Sequence, residues 1–124
     1  MEEETIDIPS ITLKWSDWFH WDEIKKDARK DGIKIPNKET GVYEAKYENS
    51  EERLTMGKAS DLRMRVRQGL VKGKAPHSAG EKIRANEDTT RIVVRWAITD
   101  RPAAVEEELH KRHPVSYTHL TLPT

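Results

Sequence analysis

The chain has 124 residues, 35% of them hydrophobic and 35% charged, with 22 basic and 22 acidic side chains and no cysteine. That length suits one small domain with a modest core, and a formal charge of zero excludes attraction to nucleic acid by overall charge alone. The missing cysteines exclude disulfides, thiolate chemistry and cysteine-bound zinc.

Residues 1–14 mix acids with Ile6, Ile8, Ile11 and Leu13 in a short alternation that predicts an edge strand or an extended arm. Ser16 is placed to cap a helix over residues 17–30 that stops near Gly32, with Trp18, Trp21, Ile24 and Ala28 able to share a face. Trp15, Trp18 and Trp21 have the surface to stack on bases, but aromatic residues at helical spacing more often pack into a core. Residues 33–40, with Pro36 and Asn37, read as a connector. A hairpin follows, with strands over residues 41–47 and 53–56 and a turn at Asn49-Ser50. Ser60 can cap a helix over residues 61–70, in which Leu62, Val66 and Leu70 recur at every fourth position.

On that helix Arg63, Arg65 and Arg67 cannot share one face, so one of them is expected to point inward toward a site. Residues 69–80, containing glycine, lysine and proline, read as a mobile loop, and a short helix over residues 79–86 follows. The β-branched run Ile92-Val93-Val94 marks a strand over residues 91–98. Asp100 and Pro102 signal the start of a last helix through Ala103, Ala104, Val105 and Leu109. The fold class expected is therefore α/β (α+β). It has a small three-stranded, mostly antiparallel sheet flanked by helices and an N-terminal helical extension over residues 1–35.

Charge is unevenly spread despite its zero sum. Arg63, Arg65, Arg67, Lys72, Lys74, Lys82 and Arg84 face one nearby acid, Glu81, in sequence, whereas Met1-Glu2-Glu3-Glu4 and Glu106-Glu107-Glu108 are acidic. A local basic stretch can meet phosphates in a neutral protein, so Arg63, Arg67, Lys72, Lys74 and His77 are candidate nucleic-acid contacts. The acidic start lacks the regions of a signal peptide, and no apolar run approaches membrane-spanning length. A cytoplasmic protein with no membrane partner is expected. The last ten residues, from Val115 to Thr124, back-translate to a string resembling a transposon-based sequencing adapter. Residues 114–124 are accordingly read as a non-native tail and set aside.

Two short segments carry the strongest functional signal. Gly41-Val42-Tyr43 lies on the first hairpin strand and Thr55-Met56-Gly57 on the second, followed at once by Lys58-Ala59-Ser60-Asp61-Leu62-Arg63-Met64-Arg65. Over residues 36–113 this order resembles the GIY-YIG nuclease superfamily, whose half-motifs sit on neighbouring strands with an essential arginine one helical stretch later. The resemblance implies a domain cut short at its C-terminal end and a metal-dependent endonuclease that hydrolyses DNA phosphodiesters. Tyr43 would lie with its hydroxyl at the cleft, orienting or deprotonating water. Lys58 would stand near the nucleophile or phosphate, Arg65 would hold the scissile phosphate, and Glu106 would bind Mg2+ or Mn2+.

Each residue has a plainer reading. Tyr43 suits a half-buried strand, Arg65 can pair with Asp61 on a helix surface, and Glu106 stands in an acidic run, with Glu107 one register step away. Thr55 replaces the tyrosine that opens the family's second half-motif; its hydroxyl can bond a water but cannot act as a phenol does. The alternative function is thus a catalytically degenerate domain of this type that binds nucleic acid without cleaving it. His77 in the basic loop is a further acid–base candidate, while a loop histidine is more often solvent exposed. His110 and His113 lack a third ligand at a spacing suited to zinc.

Overall fold

The computed structural model describes residues 3–6, 11–27 and 35–117. Two antiparallel strands, β1 (Glu3–Ile6) and β2 (Ile11–Lys14), form a sheet of their own, so the N-terminal arm folds back as a hairpin. The main sheet has the order β3-β6-β4-β5, built from β3 (Phe19–His20), β4 (Gly41–Tyr47), β5 (Arg53–Ala59) and β6 (Ile92–Ile98), all neighbours antiparallel.

The class is mixed α and β, but the sheet has four strands where the sequence predicts three. The fourth comes from within the expected N-terminal helix. Phe19 and His20 pair with Val94 and Val93, and among the described residues of that segment only α1 (Trp21–Lys25) is helical. Residues 28–34 and 118–124 lie outside the described residues. The helical pattern yields because Phe19 stacks on Trp96 with ring centres 5.4 Å apart, and Ser16 is bonded to Trp96 in both directions, a sheet-edge geometry that a helix cannot reach.

Alternation along β4 and β6 buries both faces of the sheet. On one face Tyr43, Ala45, Val94 and Trp96 pack with Trp21 and Ile24 of α1, with Leu62, Val66 and Leu70, and with Ile83. On the other, Val42, Met56 and Ala97 pack with Leu13 and Trp15 and with Val105 and Leu109 of α3 (Pro102–Arg112). Leu62, Val66 and Leu70 are each wholly buried, worth about 1.5–3 kcal/mol apiece in area removed from water. Trp15 and Trp21 are therefore core residues.

Gly41 leaves no room for a side chain, since a Cβ there would stand 2.2 Å from the Ala97 carbonyl oxygen of the neighbouring strand and 2.9 Å from Leu62 Cδ1. The helix expected over residues 61–70 is a π-helix, Met64–Val71, with Lys72 N–H donating to the Arg67 carbonyl at 2.9 Å. Of the segment expected as a loop, 69–80, only the two ends are helical and residues 72–77 connect them. It holds the end of the π-helix and the start of α2 (Ser78–Asn86). The N-cap position of the last helix is Arg101, not Asp100, and its side chain makes no cap hydrogen bond. Residues 115–117 of the tail lie along the β5 edge, with Val115 bridging Arg53 and Ser116 N–H donating to its carbonyl.

Glu44, adjacent to Tyr43 on β4, is fully buried among cations. It accepts from Arg95 Nε at 2.6 Å and pairs with Arg53 Nε at 3.2 Å. The Arg95 guanidinium lies over Trp15 and Trp18 at 4.2 and 4.5 Å. Half-buried Trp18 also meets Lys46 and Arg53, so this tryptophan is engaged by cations.

Candidate active site

Tyr43 crosses from Gly57 on β5 and Trp96 on β6, a register that points its side chain toward the π-helix and α2. Its hydroxyl is 2.6 Å from His77 Nε2. His77 is the N-cap of α2, and its Nδ1 accepts the Gly80 N–H at 2.9 Å. That acceptance leaves the ring proton on Nε2, so the imidazole donates to the Tyr43 oxygen. The ring lies against Gly69, where an added Cβ would stand 3.4 Å from His77 Cδ2.

The Arg65 side chain also hydrogen-bonds the Tyr43 hydroxyl, and its Nη1 donates to the Pro76 carbonyl at 3.1 Å. Burial pushes the Tyr43 hydroxyl well above its ordinary value. The adjacent Arg65 charge and hydrogen bond pull it down, and the Glu106 carboxylate pushes it up again. Tyr43 is therefore a protonated phenol near neutral pH.

The side chain of Tyr43 is 0% exposed, which corrects the expectation of a hydroxyl open at the cleft. It sits beneath Arg65, so in this structure it positions that guanidinium. Arg65 itself lines a cavity of about 270 Å³ with Lys58, Ser60, Asp61, Met64 and Pro76. Lys58 is exposed, and it makes no ion pair among the described residues.

The three acids of α3 separate by partner. Glu107 and Glu108 pair forward with Lys111 at 3.8 Å and Arg112 at 3.1 Å, whereas Glu106 is the one whose charge acts on Tyr43. Glu106 is half-buried, on a helix that packs against the opposite sheet face, so the constellation draws on both faces. Among the described residues no group of three or more histidine, aspartate or glutamate side chains could hold a metal. A lone carboxylate fits magnesium, which keeps waters and shares substrate oxygens. It does not fit a closed protein cage.

Several expected site residues lie elsewhere. Thr55 is fully buried beside Ala45, and its hydroxyl has no hydrogen-bond partner among the described residues, so it cannot touch a substrate. Arg63 is turned into the core, with Nη1 donating to Asp27 Oδ2 at 2.6 Å and Nη2 to the Asp27 carbonyl, so it is withdrawn from any nucleic-acid surface. His77 is likewise buried by its cap and its tyrosine partner and offers no surface contact.

Arg67, Lys72 and Lys74 stay together near the surface, with Arg67 Nη2 donating to the Lys25 carbonyl at 3.3 Å. The Lys72 ammonium is pushed below its ordinary value by Arg67, then by Lys74, with Lys25 adding to the field. Arg63, at the N-cap of the π-helix, and Arg65 and Arg67 within it thus point to three places: the core, the cavity and this cationic patch.

His77 is the site residue whose role the sequence concealed. It stands 34 positions from Tyr43, and only its cap position, next to Ser78 at the helix start, could have hinted that the ring is fixed. Comparison of the chain with protein-family models, with curated proteins and with solved structures finds no match. Among the described residues no helix is long and apolar enough to cross a membrane.

Proposed function

We propose that the chain is a metal-dependent endonuclease of the GIY-YIG type that hydrolyses DNA phosphodiester bonds. The observation that carries the reading is the meeting of Arg65 with Tyr43 under the influence of Glu106, at a cavity that also holds Lys58. Arg65 and Lys58 line that cavity, Tyr43 lies buried against Arg65, and Glu106 acts on Tyr43 from α3 across the sheet.

Hydrolysis joins a water oxygen to phosphorus and breaks one phosphorus–oxygen ester bond, the water's proton leaving to solvent or to the departing oxygen. Arg65 supplies a fixed fork for the phosphate's non-bridging oxygens. Lys58, exposed in the same cavity, places a second positive charge on the developing oxyanion. Glu106 would hold a magnesium or manganese ion, which supplies positive charge to the phosphate and the leaving oxygen. His77 fixes the Tyr43 hydroxyl, and Tyr43 with the Pro76 carbonyl holds Arg65 in place.

A second reading is favoured by Thr55, buried where a second phenol would be expected: a domain that binds DNA without cutting it. Plasmid nicking with magnesium or with chelator, beside Arg65→Ala and Glu106→Gln, separates the two. Magnesium-dependent cutting lost in both variants supports the nuclease. Salt-dependent DNA binding by folded protein that never nicks replaces it with the second reading.

A further inference from the structure

The Arg65 cavity has a larger neighbour. A second cavity of about 710 Å³ is lined by Thr40, Asp100, Arg101 and the first turn of α3, and it shares Lys58, Ala59 and Ser60 with the first. The two therefore meet over residues 58–60. Lys58 and Arg101 are both exposed, and neither side chain forms a hydrogen bond or ion pair among the described residues.

Several other arginines are committed within the protein: Arg63 to Asp27, Arg95 and Arg53 to Glu44, and Arg84 to two carbonyl oxygens. Two uncommitted cations lining one cavity repel each other, and the carboxylates lining the two cavities are Asp100 and Asp61, the latter accepting the Met64 N–H. An anion between them relieves that repulsion. Ala59, Ser60, Ala103 and Ala104 are small, so a sugar–phosphate chain can approach closely between the cations.

We infer that the joined groove is a track for one DNA strand. The Arg65 lobe takes the scissile phosphate, Arg101 takes a phosphate further along the same strand, and Lys58 stands between them. The inference rests on the nuclease reading above and adds to it a binding residue outside the motif order. It also gives Asp100 a role of opposite sign, since its carboxylate limits how tightly the strand is held. Contacts of this kind position the backbone and carry no base preference.

The test is DNA binding by the full chain in chelator, using two fluorescein-labelled duplexes of unrelated sequence, across about 50 to 200 mM salt. Arg101→Gln is expected to raise Kd about three- to tenfold on both duplexes and to lower the salt slope by about one. Asp100→Asn is expected to tighten binding. Both side chains are exposed, so neither change disturbs a core.

Wild-type binding by Arg101→Gln overturns the track, as does a loss with an unchanged salt slope accompanied by weaker binding in Asp100→Asn. Arg65→Ala separates the two levels of the argument. Weakened binding in Arg65→Ala with none in Arg101→Gln removes the track alone. No salt-dependent binding by the wild type removes the nuclease reading and the track together.

Discussion

Tyr43 and Glu44 are neighbours on one strand, both fully buried, and they face opposite sides of the sheet. Around Glu44 the charges are answered within the protein, by Arg95, Arg53 and the faces of Trp15 and Trp18. Around Tyr43, His77 and Arg65 converge on its oxygen, and Arg65 lines a cavity with Lys58, which makes no ion pair among the described residues. Burial alone does not mark a functional group, since both residues are at 0% exposure. What separates them is whether the surrounding charge is closed off or left facing open space.

Removing the carboxylate on the closed side should have the largest effect on stability. Glu44→Ala leaves two buried guanidinium groups without their anion and should cost about 3–5 kcal/mol, read from urea unfolding midpoints. A loss under about 1 kcal/mol would mean that the tryptophan faces hold the arginines unaided. On the open side the largest effect should be on chemistry. Arg65→Ala is expected to lower the nicking rate by about 10²- to 10³-fold with little change in midpoint, as the loss of an oxyanion donor does.

Tyr43→Phe tests the join between structure and chemistry. It leaves the donors from His77 and Arg65 without their acceptor and should cost about 1–3 kcal/mol. It also has a pH signature. Burial raises the folded pKa of Tyr43 above the ordinary 10.0, so the native state keeps a proton that the unfolded chain releases. Its contribution to stability is full below pH 10.0 and is lost as pH rises toward the folded value, at about 1.4 kcal/mol per pH unit. Tyr47 and Tyr117 are also raised, so the measurement is the difference between wild type and Tyr43→Phe at alkaline pH. Equal slopes in the two proteins would refute it.

His77→Asn should be milder than His77→Ala. Asparagine restores the cap on α2, worth about 1 kcal/mol, but its short side chain does not reach Tyr43. If the two variants are equally stable, the cap contributes nothing. The smallest effect is expected at Thr55→Val. Replacing a buried hydroxyl that has no partner with a methyl group of similar size should change the midpoint by less than about 0.5 kcal/mol or raise it. Nicking should be unaffected, and a large loss would return Thr55 to the site.

Much of the fold was legible because its signals are local. The β4–β5 hairpin, β6 and α3 follow from alternation, β-branched residues and a proline at the helix start. The short β3 was not, because Phe19 and His20 take their conformation from β6, more than 70 residues away. In the site, the resemblance grouped Tyr43, Lys58, Arg65 and Glu106 as a set; the structure places Arg65 and Lys58 in one cavity, Tyr43 buried against Arg65, and Glu106 on α3 across the sheet. It did not reveal that Arg63 would be drawn into the core by Asp27, or that His77 would cap a helix and hold a tyrosine.

The sequence by itself determined the residue types, their order and the periodicity that assigns each to a strand or helix, because those depend on near neighbours and on solvation. Only the tertiary structure decided which of three alternate arginines faces the cavity and which of three successive glutamates acts on Tyr43. It also decided whether a hydroxyl is exposed or sealed. Those choices depend on side chains that meet across distant parts of the chain, where one buried partner, such as Asp27 for Arg63, outweighs any local preference.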